Sequence, residues 1–130
     1  MVSREKIEVT LQRLNAAENS RPHSTIEEVS KRIDLVMAPD VQGWWNGVHV
    51  PSRVVEREGE RRGFSAMVDY HRSFDRVLID PPLACIGWTI RATIQAQQVS
   101  HPGCSIFEFN DDGLISRYWG YTDLAKLNGK

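Results

Sequence analysis

The sequence predicts an α+β fold in which helices pack on one face of a curved antiparallel sheet. Two observations lead to this prediction. Within the first 74 residues, apolar side chains recur at helical spacing in three separate segments. The rest of the chain contains β-branched and aromatic runs, one of which alternates strictly between apolar and polar positions.

The first two helices are predicted from their caps and apolar stripes. Residues 3–17 form a helix, because a serine opens the segment and apolar residues recur every three or four positions. A second helix begins at residue 24 or 25, where Thr25 and Glu28 fit a capping box. The segment 38–40, Ala-Pro-Asp, is predicted to end that helix.

A third helix is predicted from about residue 61 to residue 74. Four side chains in it lie at spacings of three, four and three, and therefore share one face: Phe64, Met67, His71 and Phe74. The stretch 47–60, which precedes this helix, contains glycine, proline, serine and alternating charges. It is predicted to be a loop.

Strands are predicted for residues 41–46, 76–79 and 83–95, the last following an Asp-Pro-Pro turn. The longest strand has one almost purely apolar face, which we place against the helices. That face comprises Ala84, Ile86, Trp88, Ile90, Ala92 and Ile94. The opposite face carries Arg91, which we expect to lie outside and opposite Glu108.

The clearest hairpin in the chain is formed by residues 104–109 and 114–121, joined by Asn-Asp-Asp-Gly at 110–113. If Phe109 lies opposite Leu114, two faces follow. One face pairs Phe107 with Ser116 and Ser105 with Tyr118. The other pairs Glu108 with Ile115 and Ile106 with Arg117.

Composition excludes several classes of protein. A chain of 130 residues corresponds to one domain, 1–130, and 41% apolar residues suffice for a core. The net charge of -1 and the absence of a basic stripe argue against nucleic-acid binding. No apolar run reaches membrane-spanning length, and no signal segment opens the chain, so we expect a cytoplasmic protein without a membrane partner.

Neither metal binding nor a disulfide scaffold is predicted. The four histidines are scattered without ligand spacing, so no metal site is expected. The two cysteines are too few for a scaffold. Because Cys85 lies early in one strand and Cys104 begins the next, we expect them to be far apart and reduced.

The order of helices and strands resembles the nuclear-transport-factor-2-like superfamily, particularly its SnoaL-like branch. The segment 107–115, Phe-Glu-Phe-Asn-Asp-Asp-Gly-Leu-Ile, is similar to the penultimate hairpin of that superfamily, and 121–124 is similar to the close of its last strand. The resemblance implies a cone-shaped fold, with three N-terminal helices on a curved sheet that encloses a pocket. It also implies a homodimer formed through the outer sheet face.

Members of the superfamily include polyketide cyclases, ketosteroid isomerases, epoxide hydrolases and proteins that bind without catalysis. By resemblance, the isomerase acids fall near Trp45 or Asn46 and near Ser105, where no acid stands. The acidic and basic positions of the hydrolases fall on Ile86, Trp88 and Gly120. A slipped register that turned Arg91 inward would bring a cation to that site but no carboxylate.

The residues themselves suggest a proton-transfer pair. His71 shares the helical stripe described above, so it should face the interior, where its pKa would suit general acid–base catalysis. Asp75 follows at i+4 and would orient the imidazole ring. A buried histidine that only accepts or donates a structural hydrogen bond is the alternative.

A largely apolar pocket is predicted from aromatic residues with a few polar groups among them. Its residues are Trp44, Asn46, Phe64, Met67, Phe74, Trp88, Ser105, Phe107 and Tyr118. Asn46 would bind a ligand oxygen or, alternatively, occupy a turn before Gly47. Trp119 and Tyr121 fall on the outer face with Ile106 and Ile115, as a buried dimer contact would require.

The function that follows is binding of a small hydrophobic molecule. It is accompanied, as one hypothesis, by cofactor-independent acid–base chemistry of a cyclase or isomerase. The alternative is a non-catalytic member of the same fold that binds a ligand or a protein. Fold alone does not decide between them.

Overall fold

The structure is a computed structural model and describes residues 1–123. Leu124, at the end of the segment compared with the last strand of the superfamily, lies outside the described residues. The elements, in chain order, are α1 (Arg4–Asn19), a 3-10 turn (Arg21–His23), α2 (Ile26–Asp34), β1 (Met37–Trp45), β2 (Val48–Val50), α3 (Arg53–Ala66), β3 (Val68–Asp80), β4 (Leu83–Ile94), β5 (Gln97–Phe109) and β6 (Ile115–Thr122).

Three helices cover one face of a single six-stranded sheet with the order β2-β1-β6-β5-β4-β3, which confirms the predicted α+β cone. The sheet is not closed. It is also mixed rather than wholly antiparallel, because β1 runs parallel to β6. Local patterns predict hairpins between neighbours in sequence, whereas this pairing joins strands about 75 residues apart and depends on the tertiary fold.

The first two helices begin as predicted. The Ser3 hydroxyl accepts a hydrogen bond from the Lys6 backbone N–H, and Thr25 and Glu28 make both bonds of a capping box. The end of the second helix is different. Helix α2 stops at Asp34 and β1 starts at Met37, so the Ala-Pro-Asp segment lies within a strand and does not terminate the helix.

The third helix is displaced from its predicted position. Helix α3 starts at Arg53, within the predicted loop, and the segment after Met67 belongs to β3. Ser52 caps α3 by accepting a hydrogen bond from the Val55 N–H. Beyond the helix, buried and exposed positions alternate with the period of a strand, so the helical spacing of Phe64, Met67, His71 and Phe74 is fortuitous.

The face assignment of the longest strand is confirmed. All six residues of the predicted inner face of β4 are buried, with Trp88 3% exposed, whereas Arg91 on the other face is exposed. The prediction that Arg91 lies opposite Glu108 is wrong. Arg91 lies opposite Ser100, and Glu108 lies opposite Arg117, with which it forms an exposed ion pair.

The turn of the last hairpin is confirmed, but its register is different. Gly113 adopts the left-handed conformation at φ 79°, and the Asn110 side chain accepts two backbone N–H bonds across the turn. An irregularity at Ser116 then shifts the ladder. As a result Phe109 lies opposite Ile115, Phe107 opposite Tyr118, and Ser105 opposite Gly120. Ile115 is fully buried rather than outward.

The two cysteines are neighbours, contrary to expectation. A two-residue turn joins two long strands, so Cys85 and Cys104 lie at almost equal distances from it. Their Sγ atoms are 3.7 Å apart on the outer face, and both are free thiols.

One row of side chains crosses the outer face and takes one residue from each of the six strands. Its members are Leu78, Cys85, Ile106, Trp119, Trp44 and His49, in order from β3 to β2. We call it the outer row. Trp44 stacks on both His49 and Trp119, with ring centroids 5.0 and 5.4 Å apart. The outward placement of Trp119, Tyr121 and Ile106 agrees with the sequence prediction.

Within residues 1–123, no helix has both the length and the apolar character that crossing a membrane requires.

Candidate functional site

The predicted proton-transfer pair does not face the interior. His71 and Asp75 lie on β3, and both side chains are exposed. Asp75 accepts hydrogen bonds from the Thr89 and Ser73 hydroxyls, which lower its pKa. The placement that supported catalysis by His71 is therefore wrong, because a strand replaces the helix; a role for either residue in a reaction stays a prediction.

The first strand places the other tryptophan, Trp45, on the same side of the sheet as Tyr118, where it remains 36% exposed. Trp44 belongs to the outer row, contrary to prediction, whereas Trp45 approaches the Tyr118 ring edge-on at 6.4 Å. Gly120 permits this approach, because a Cβ there would stand 2.3 Å from the Trp45 ring. Asn46 occupies the alternative turn position at φ 47°, exposed and bonded through its side chain to the backbone of Thr122.

Four of the predicted pocket residues meet in the buried interior: Trp88, Ser105, Phe107 and Tyr118. The Trp88 indole N–H donates to the Ser105 hydroxyl at 2.9 Å. Phe64, Met67 and Phe74 are half-buried and pack against this core. Ser105 and Tyr118 share the inner face, as predicted, although they are not opposite each other.

Helix α3 adds a group of charges to this interior. Arg53 is the buried residue of α3, and its guanidinium contacts three carboxylates. The contact distances are 2.6 Å to Asp34, 2.5 Å to Glu56 and 2.8 Å to Glu60. Arg57 pairs with the second oxygen of Asp34. The helix is thus attached mainly by ion pairs.

Glu56 is the most perturbed carboxyl of the group. Its side chain is 11% exposed. Burial disfavours the charged form and raises its pKa to about 7, outweighing the opposite effects of the Tyr118 hydroxyl and of Arg53; the nearby Glu60 and Glu18 add smaller contributions in the same direction as burial. Burial and Glu56 likewise raise the pKa of Tyr118. The Tyr118 hydroxyl is buried beside the Glu56 carboxyl, and no group of residues 1–123 bonds it in good geometry.

A second group of charges adjoins the first and comes from α1, the 3-10 turn and β3. Arg21 donates two hydrogen bonds to one oxygen of Glu18, at 2.6 and 3.0 Å, and its guanidinium lies over the Tyr70 ring. Burial opposes ionisation of Glu18, but Arg21 and Arg72 outweigh it and lower the pKa of this carboxyl. Burial raises the pKa of Tyr70 to about 12.

Sequence reasoning missed the charges of Arg53, Glu56 and Glu60 because the first part of α3 was predicted to be a loop. A signal was present: Glu56 and Glu60 follow Arg53 at i+3 and i+7, which places all three on one side of a helix. Two surface grooves, of about 420 and 480 Å³, lie near the start of β3 and the turn that joins β4 to β5. Neither is lined by the interior charges. Residues 1–123 also contain no cluster of three or more side chains suited to a metal ion.

The sequence matches the family model described as the SnoaL-like domain over residues 11–118, most of the chain. The chain belongs to the SnoaL-like domain family. None of the curated proteins matches it.

Solved structures share the fold of this SnoaL-like chain. AclR, a putative hydroxylase from Streptomyces galilaeus, has a TM-score of 0.80 at 19% identity, covering 96% of this chain and 94% of its own. TsrD from Streptomyces laurentii has a TM-score of 0.77 at 19% sequence identity. The alignment covers 99% of this chain and 96% of the TsrD chain. A putative SnoaL-like polyketide cyclase from Jannaschia Sp. CCS1 has a TM-score of 0.80 at 13% sequence identity. The alignment covers 95% of this chain and 89% of the cyclase chain. At these identities the likeness concerns the fold.

In this SnoaL-like domain, the positions to which resemblance assigned catalytic acids hold no acid. Trp88 and Ile86 are buried apolar residues, and Arg91 is exposed, so the register is not slipped. The interior carboxyl with a pKa near neutrality, Glu56, comes from α3 instead.

Proposed function

We propose that the chain binds a small hydrophobic molecule bearing a carbonyl group inside the cone and that Glu56 transfers a proton to or from it. The observation that carries the proposal is a buried carboxyl with a pKa of about 7 beside a buried tyrosine hydroxyl, Tyr118. A general base works best when its pKa lies near the working pH. The hydroxyl is suited to donate a hydrogen bond to an enolate oxygen.

The surroundings of this pair support the proposal. Phe107 lies opposite Tyr118 in the sheet, and the partly exposed Trp45 ring meets the Tyr118 ring edge-on, so apolar surface adjoins the two polar groups, as ligand sites in proteins commonly require. Entry of a ligand requires a movable wall, and α3 is suited to that role. Its buried residue is the charged Arg53, and segments with few buried apolar contacts tend to open more readily than the core.

The alternative is binding without catalysis. The absence of acids at the positions used by the family's isomerases and hydrolases favours it. In that case Glu56 and Tyr118 would only orient a ligand, and the two functions differ in whether a carbon-bound proton is exchanged.

We also propose a homodimer formed through the outer row. Six neighbouring strands present an apolar and aromatic surface there, and Tyr121 beside it is 49% exposed. Charges of both signs border the row, among them Glu108 and Arg117. Two copies related by a two-fold axis can therefore pair opposite charges while they bury the aromatic side chains.

The experiment for the catalytic function follows deuterium exchange next to a ketone. With α-tetralone in deuterated buffer, we expect the protein to accelerate exchange at the carbon beside the carbonyl, measured by NMR. The rate should rise as the pH passes about 7, where Glu56 becomes ionised. Glu56→Gln should lower the rate about a hundredfold or more, and Tyr118→Phe should also lower it.

Glu58→Gln is the matched control, because Glu58 lies on the same helix with an exposed side chain. This variant should accelerate deuterium exchange beside the ketone carbonyl at the wild-type rate. An unchanged rate in Glu56→Gln would contradict proton transfer by Glu56. Binding of the ketone without exchange would favour the alternative function.

A further inference from the structure

Arg72 is a buried arginine whose charge is not directly paired. Its residue exposure is 9%, and its Nε donates to the Asn15 side chain at 3.1 Å. Its Nη2 is buried without a hydrogen-bond partner among residues 1–123. No carboxylate in that part of the chain lies within ion-pair distance of it, although Arg53 on the neighbouring helix contacts three.

Arg21 supplies a second donor of the same kind. Two of its nitrogens bond Glu18, which leaves Nη1 buried and without a partner in the described part of the chain. Its side chain is 9% exposed and lies 4.3 Å from the centre of the Tyr70 ring. Tyr70 and Arg72 are two residues apart and buried on one face of β3, and Arg21 lies over Tyr70, so both free donors lie on the inner side of this strand.

A buried donor without an acceptor loses its hydration and destabilises the folded state, the more so when it is charged. Two such donors in one region are therefore expected to meet an acceptor in the working protein. A guanidinium pairs best with a planar group of two oxygens, which is the geometry of a carboxylate.

The balance of charge agrees with an anionic ligand. Four arginines (Arg21, Arg53, Arg57 and Arg72) stand with four carboxyls (Glu18, Asp34, Glu56 and Glu60) in the two adjoining groups. The charges cancel when every carboxyl is ionised. When Glu56 carries a proton, one positive charge is left over, and a carboxylate would neutralise it.

We propose that Arg21 and Arg72 form a subsite for the carboxylate of the ligand, so that the ligand class is a hydrophobic carboxylic acid. The proposal rests on the proposed function, since it takes the cone interior as the binding site. It adds a preference in charge that the Glu56–Tyr118 pair does not provide.

The experiment compares two probes of the same shape, cinnamate and cinnamamide, by calorimetry at neutral pH. The wild-type protein should bind cinnamate at least about tenfold more tightly, because hydrogen bonds to a charged group are stronger than those to a neutral amide. Arg72→Met and Arg72→Gln should abolish this preference and leave the affinity for cinnamamide unchanged. Arg91→Gln, which removes an exposed arginine from the outer face, should keep it.

Thermal unfolding gives a second readout. Both Arg72 variants lose the hydrogen bond to Asn15 and a cation near Glu18, but Glu18 keeps both of its bonds to Arg21, so both variants should fold. Cinnamate should raise the Tm of the wild-type protein and of Arg91→Gln, but not that of the Arg72 variants.

Equal affinity of the wild-type protein for both probes would overturn the subsite. So would binding of neither probe, or a preference retained in both Arg72 variants. Failure of the proton-transfer function is a separate result. If Glu56→Gln exchanges the ketone protons at the wild-type rate while the Arg72 variants lose the preference for cinnamate, proton transfer by Glu56 is contradicted and the carboxylate subsite is supported.

Discussion

At the scale of single residues, chemistry in this protein depends on surroundings that sequence neighbours do not reveal. Glu56 and Glu58 are two residues apart on one helix, yet one is buried and the other exposed. The buried carboxyl lies among Glu60, Glu18 and Tyr118, and burial raises its pKa to about 7. Proximity in space, and not spacing in the chain, creates the candidate acid–base group.

Glu56 should make the stability of the protein depend on pH. A carboxyl whose pKa is raised on folding holds its proton more tightly in the folded state, so stability falls as the pH rises from 4.5 to about 7. Glutamine does not titrate, so Glu56→Gln does not show this loss of stability with rising pH. The free energy of unfolding of the variant, relative to wild type, should therefore rise by up to about 3 kcal/mol from acidic to slightly alkaline pH.

Urea titrations at several pH values measure this difference. Glu58→Gln, with an exposed side chain on the same helix, should track the wild-type curve across the range. A constant difference between Glu56→Gln and wild type would show that the pKa of Glu56 is not raised.

At the scale of elements, α3 is unlike the other two helices. Helix α1 buries four apolar side chains, and α2 buries Val29 and Ile33, whereas the buried residue of α3 is Arg53. Apolar burial fixes the first two helices on the sheet. Ion pairs of Arg53 and the half-buried Phe64 hold the third, which is consistent with the role of a movable cover over the interior.

Arg53→Met should loosen α3. The substitution leaves Glu56 and Glu60 buried without their cation, which costs about 3–5 kcal/mol when one partner of a buried pair is removed. Hydrogen exchange should then become faster in residues 53–66 than in α1. Arg61→Met, at an exposed position of the same helix, is the control and should leave exchange as in wild type. Equal protection of α3 in both variants would contradict ionic anchoring.

At the scale of the whole molecule, the sheet separates two surfaces with different expected partners. The inner face meets the helices and holds the ligand in our proposal. The outer row crosses all six strands, and no helix of residues 1–123 lies over it. Aromatic residues at the centre of a protein interface commonly supply most of the binding free energy.

Trp119→Lys should weaken the proposed dimer. A charged side chain in the middle of the outer row should raise the dimer dissociation constant at least about thirtyfold, equivalent to about 2 kcal/mol. Sedimentation velocity across a range of protein concentrations measures this change, with circular dichroism to verify folding. Val9→Lys alters an exposed apolar residue of α1 and should leave the dimer intact. A wild-type chain that sediments as a monomer at high concentration would contradict the dimer.

Patterns with one local explanation were predictable from the sequence. The strict alternation of β4 identified its buried face, and the capping box at Thr25 and Glu28 located the start of α2. The turn before Leu114 was equally local, because asparagine and glycine favour its backbone conformation. Each of these depends on a few consecutive residues whose preferences agree with the final fold.

Short patterns that fit two structures were decided by tertiary contacts. The segment 64–74 satisfies a helical period, yet Tyr70 and Arg72 pack inward from a strand paired with β4. Similarly, Trp44 and Trp45 are adjacent and chemically alike, and only the pairing of β1 with β6 determines which one faces Tyr118.

The sequence by itself determined the class of fold, the inner face of the longest strand and the family. The tertiary structure alone decided the interior charges, because their carboxyls and guanidinium groups come from three helices and β3. Electrostatic effects of this kind act through space and depend on burial, and neither quantity is written in the order of residues.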